Sequence, residues 1–71
     1  MYIITKAKDW VSQTIYSLKN LSETNYNLGI RSFMDGSYSD AIFRFRVADF
    51  VNKNQPDTHI MLAAGYMFNG N

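Results

Sequence analysis

The chain has 71 residues, no cysteine, and a net charge of +1 from seven basic and six acidic side chains. Its length allows one small domain, which buries only about 60% of the surface the unfolded chain exposes. Without cysteine there is neither a disulfide framework nor a thiolate metal site, and basic residues scattered among acids exclude the charged stripe that nucleic-acid binding uses, with only Arg44 and Arg46 locally dense.

The apolar opening Met1-Tyr2-Ile3-Ile4 is interrupted by Lys6, Lys8 and Asp9 before a leader's apolar region could form. The longest apolar run, residues 60–68, is nine residues, well short of the ~20 a membrane helix needs. A soluble, cytoplasmic chain is the default expectation.

Few breakers interrupt the chain: one proline, Pro56, and four glycines, so the spacing of apolar residues predicts four helices. The first spans about 5–19, with Ile4, Ala7, Val11, Ile15 and Leu18 on one face and Trp10 widening it. Ser22 is then expected as N-cap of a second helix, about 22–35, with Glu23 placed against the positive end of its dipole. Tyr26, Ile30 and Phe33 form its stripe. Asp35-Gly36-Ser37 ends it, glycine tolerating a left-handed cap and Ser37 with Asp40 approximating a capping box for the next helix. That third helix, about 38–52, carries Ala41, Ile42, Phe45, Ala48 and Val51 inward. After the polar stretch 52–55, Pro56 suits the first turn of a fourth helix, about 57–68.

Laid on itself with a shift of 34 residues, the chain aligns Gly36 with Gly70, Leu28 with Leu62, and Phe33 with Met67. The same shift carries Ala7 onto Ala41, Val11 onto Phe45 and Thr14 onto Ala48. Thirty-four residues is the period of the tetratricopeptide repeat, and residues 26–48 resemble one. Leu28-Gly29 matches the pattern, Gly36-Ser37-Tyr38 forms the turn, and Ala41, Phe45 and Ala48 hold the small-large-small spacing. Asn25 and Ser32 replace the family's aromatics, and Lys53 stands where it closes on proline. His59, Leu62, Ala63 and Tyr66 begin a second, incomplete copy from Pro56. The N-terminal helix is a degenerate match to the second helix of a preceding unit. The resemblance thus implies one all-α domain: residues 1–21 as an amphipathic helix, 22–55 as a complete antiparallel helix-turn-helix repeat, and 56–71 as the first helix of another.

In that family the first helices of successive repeats line a groove that takes a peptide or helix. Carried over by position, the lining is Glu23, Tyr26, Asn27, Ile30, Phe33 and Met34, then Asp57, Ile60, Met61, Ala64 and Met67, with Phe68 following. The subgroup that grips a terminal carboxylate needs lysine and asparagine where this chain has Tyr26 and Ile30, so only Asn27 could serve it. An apolar groove suits a partner's hydrophobic anchors. The plainer alternative is that Tyr26, Ile30 and Phe33 are core, covered by the N-terminal helix. The fourth helix, 60–68, lacks a polar face and is expected to be buried all round. A second helix to cover it would come from a longer array or from another chain. A homo-oligomer joined through N- and C-terminal helices is therefore expected.

Catalysis, a metal and a cofactor are not expected. His59 is the one histidine, and its place is that of a packing aromatic. The six acids show no metal-loop spacing. The expected function is a non-catalytic protein–protein interaction module. The alternative is a membrane-surface adaptor, with Tyr2, Ile3, Ile4 and Trp10 beside Lys6, Lys8 and Lys19 on the first helix.

Overall fold

The computed structural model describes residues 2–70, with side chains from Asp9 onward. The side chains of Tyr2, Ile3, Ile4, Lys6, Ala7 and Lys8, which the sequence assigns to the first helix's faces, lie outside that description. Among the described residues there are three helices: α1 (Tyr2–Met34), α2 (Tyr38–Val51) and α3 (Pro56–Phe68). Among the described residues there is no strand, so the fold is all-α.

The first two expected helices are one. Residues 19–23, Lys-Asn-Leu-Ser-Glu, contain neither glycine nor proline. Asn and Ser cost a helix only about 0.5 kcal/mol each, whereas a break there would strip partners from four carbonyls and four N–H groups. Continuity wins. Ser22 is accordingly not an N-cap: it is fully buried mid-helix, and its hydroxyl donates to the Ala48 carbonyl at 2.9 Å. The Gln55 amide oxygen lies 3.0 Å from that hydroxyl and 3.4 Å from the hydroxyl of the equally buried Thr58. With Ser22 serving Ala48 and Thr58 serving Gln55, a small polar junction ties α1, the end of α2 and the start of α3 together.

The turn after α1 follows the expected chemistry. Gly36 has φ of 81°, its N–H donates to the Phe33 carbonyl, and Ser37 N–H donates to that of Ser32. These are the two bonds of a Schellman ending, which needs a left-handed residue. Gly70, 34 residues on, ends α3 with φ of 83°. The capping box is absent, because the Ser37 side chain makes no cap hydrogen bond. Between α2 and α3 the Asn54 N–H donates to Asn52 Oδ1 at 3.1 Å, an Asx turn. Pro56 occupies the first turn of α3, where the missing N–H costs nothing.

The core is small and lies between α2 and the C-terminal half of α1. Ala41, Phe45 and Ala48 are fully buried and Ile42 nearly so. Gly29 makes the approach possible: a Cβ there would stand 2.6 Å from the Phe45 ring. Gly65 does the same for α3, where a Cβ would meet the Ile42 side chain at 2.9 Å. Gly29→Ala should therefore destabilise the fold by about 1–3 kcal/mol through overpacking, despite the ~1 kcal/mol by which alanine improves a helix interior. In a Phe45→Ala background the same change should turn neutral or stabilising. Urea denaturation of the four proteins of that cycle measures both signs.

A second cluster closes the other end of the bundle. The Phe33 ring meets Tyr38 edge-on at 5.2 Å and Phe68 edge-on at 5.4 Å, and Tyr38 stacks on Phe68 at 5.6 Å. One aromatic from each helix thus pins the end of α1, the start of α2 and the end of α3.

At 1.5 Å per residue α1 is about 50 Å long and α2 about 21 Å. The N-terminal part of α1 consequently runs past the bundle as an arm. The molecule measures 56 × 18 × 13 Å with a radius of gyration of 15.6 Å, against about 11 Å for a compact chain of this length.

Candidate functional site

The arm continues the face by which α1 packs on α2. Ser22, Asn25 and Gly29 are buried on that face, and stepping back by three or four residues gives Leu18, Ile15 and Val11. Those three are exposed, as is Trp10 at 68%. Branched apolar side chains in line with a buried stripe belong to a packing face. Among the described residues each stays about half open. The end of α2 reaches only as far as a shallow hollow lined by Ile15, Leu18, Lys19, Val51 and Asn52.

α2 and α3 leave a second apolar surface. An open cavity of about 630 Å³ lies between them, lined by Phe43, Arg46, Val47, Asp49, Phe50, Lys53, Leu62 and Tyr66. Phe43 is 61% exposed and Phe50 is 81% exposed, with the Arg44 guanidinium 5.9 Å from the Phe43 ring centre. Arg44 also donates to Asn25 Oδ1 at 3.3 Å, and Asn25 donates to the Leu21 carbonyl.

The residues carried over from the repeat pattern divide. Tyr26 is half-buried with its ring 5.7 Å from Phe45, so it belongs to the core against α2, not beneath an N-terminal helix. Phe33 is half-buried and meets Phe68 in the aromatic cluster. Ile30, Met61 and Ala64 are half-buried. Asn27 and Met34 are exposed on α1, and Ile60, Met67 and Phe68 are exposed on α3. The structure therefore joins Phe33 to Phe68 but leaves the rest of the set as separate patches.

The expectation that residues 60–68 are buried all round does not hold for the single chain. Only Thr58 and Gly65 of α3 are buried, because α3 packs chiefly on α2 and hardly touches α1. Its outward side, with Ile60, Ala63 and Met67, stays open. The sequence reading passed over Phe43 and Phe50. The signal was there: α2 carries apolar residues at 41, 42, 43, 45, 47, 48, 50 and 51, more than one face can hold. The inward set accounts for only part of them, and the remainder emerges away from α1.

Polar chemistry is sparse. His59 Nε2 lies 3.1 Å from Asp49 Oδ1, a charge contact when the ring is protonated, although that oxygen takes no hydrogen bond. Among the described residues no group of three or more His, Asp or Glu could hold a metal ion. Among them too, no helix is long and apolar enough to cross a membrane.

The accessible surface is 5482 Å², whereas a compact monomer of 8.2 kDa exposes about 4,500 Å². Set against known proteins, the chain matches no family model, no curated protein and no solved structure.

Proposed function

We propose that this chain is a non-catalytic protein-interaction module of the tetratricopeptide type, holding an apolar helical segment of a protein partner against its uncovered faces. The observation that carries the reading is the surplus of exposed apolar side chains on α1, α2 and α3, of which Phe43, Phe50 and Tyr66 flank an open cavity of about 630 Å³ between α2 and α3. Exposed apolar side chains grouped in this way on a small domain mark an interaction site. Supporting the repeat assignment are the close helix approaches at Gly29 and Gly65, and the left-handed Gly36 and Gly70 one repeat apart. The buried small-large-small set Ala41, Phe45 and Ala48 points the same way. Helix-in-groove binding reads out apolar anchors at i, i+3, i+4 and i+7.

A titration of the isotope-labelled chain with a panel of amphipathic helical peptides tests this. Chemical-shift changes should concentrate at Phe43, Val47, Phe50, Leu62 and Tyr66, while polar and polyproline peptides leave them unmoved. If no apolar helix perturbs those residues at millimolar peptide, the reading fails.

A membrane-surface role is the second reading, favoured by the exposed Trp10, Val11 and Ile15 on the arm. Co-sedimentation with anionic vesicles separates the two. Salt-sensitive binding that disappears in Trp10→Ala with Lys6 and Lys8 neutralised would favour the membrane.

A further inference from the structure

Resting on the interaction-module reading, we infer that two copies of this chain exchange their N-terminal arms, each arm packing on the open face of the other copy's α3. The internal repeat sets the seat. Residues 22–34 of α1 and residues 56–68 of α3 are one 34-residue period apart, and each ends in a left-handed glycine. α2 lies along residues 22–34 and sends Phe45 against Gly29 and Tyr26. The arm, residues 4–17, repeats α2 one period back, and α3 repeats residues 22–34 one period on, so that Ala63 and Ile60 stand on α3 where Gly29 and Tyr26 stand on α1. Val11 then stands where Phe45 stands, and Thr14 where Ala48 stands. Ala63 and Ile60 are both exposed on α3, and Val11 is exposed on the arm.

The arm thus suits α3 as α2 suits residues 22–34, yet it cannot reach its own. It runs straight into residues 22–34 as one helix, pointing away from the bundle. A second copy removes the obstacle, because exchanging an identical element between protomers is a low-cost route to a dimer. The exchange is reciprocal, so it closes as a two-fold dimer and does not propagate. The lengths agree: residues 4–17 span about 21 Å and α3 about 20 Å. The area agrees as well. Each copy shows about 1,000 Å² more surface than a compact monomer of its mass, enough to supply the ~800 Å² per partner of a standard stable interface.

The chain has no cysteine, so single introduced thiols report the seat. Copies carrying Val11→Cys are mixed with copies carrying Ala63→Cys and mildly oxidised. The cross-linked pair of one with the other should be the main product, and unmodified chain should show twice the monomer mass by light scattering at tens of micromolar. Trp10 emission should shift to the blue over the same concentration range. A main product joining Val11→Cys to itself would mean arm-to-arm pairing and overturn the exchange. A monomer at every concentration would overturn it too, including one whose Trp10 emission shifts only on adding anionic vesicles. Such a monomer, if it still took up helical peptides in the titration above, would leave the interaction-module reading standing.

Discussion

Phe45→Ala is expected to lower the melting temperature by about 15–30 °C, the largest effect of any single truncation in the core. Phe45 is completely buried, and its ring lies against Tyr26 and the Gly29 backbone of α1. Removing a buried phenylalanine costs about 3–5 kcal/mol, more where the surroundings cannot collapse into the void. Collapse is blocked here, since Gly29 has no side chain to move and the α1 backbone is held at Ser22 and Phe33. A chain of this length has in total only about 4–10 kcal/mol of stability. Thermal unfolding followed by far-ultraviolet circular dichroism measures it. A fall under five degrees would mean that the α1–α2 contact is not where this fold keeps its stability.

Glu23→Pro comes second, and it separates two architectures that the sequence allows. In one continuous α1, residue 23 lies mid-helix. Proline there removes the N–H that bonds the Lys19 carbonyl and clashes with it, at a cost of about 3 kcal/mol or more. If instead the chain broke at 20–21 and Ser22 capped a new helix, proline would fall at the first helical position and cost almost nothing. Glu23 is exposed, so loss of packing does not cloud the comparison. Urea denaturation should show the full loss, together with a drop in helical signal as the arm uncouples from the bundle. Unchanged stability would sink the single 33-residue helix, and the outward arm with it.

The second test bears on the place where sequence and structure part. Residues 19–23 carry a serine followed by an acid, which reads as a helix start. That signal is worth about 1 kcal/mol and has no glycine or proline to enforce it. Burial of Ser22 against the Ala48 carbonyl, a contact 26 residues away, outweighs it. Local preference could not reveal this, because Ser22 caps or bridges according to what lies beside it. The candidate surface was half legible for a similar reason. Ile60, Met67 and Phe68 stood out because no polar residue interrupts their run. Phe43 and Phe50 were hidden among equally apolar neighbours, and only the direction of α2 decides which of those face α1.

Several things were determined by the sequence alone: the all-α character, the ends of α2 and α3, and the closeness of the helices. Each follows from a residue whose effect is local. Gly36 permits a left-handed turn, Pro56 opens a helix, and Gly29 and Ala48 leave room for a neighbouring backbone. Only the tertiary structure decided that α1 runs unbroken, that Tyr26 faces Phe45, and that Val11, Ile15 and Leu18 face water. These depend on which surfaces meet, and apolar burial is non-directional. A stripe of hydrophobic residues says that a face must be covered, while the choice of cover belongs to the geometry of the whole.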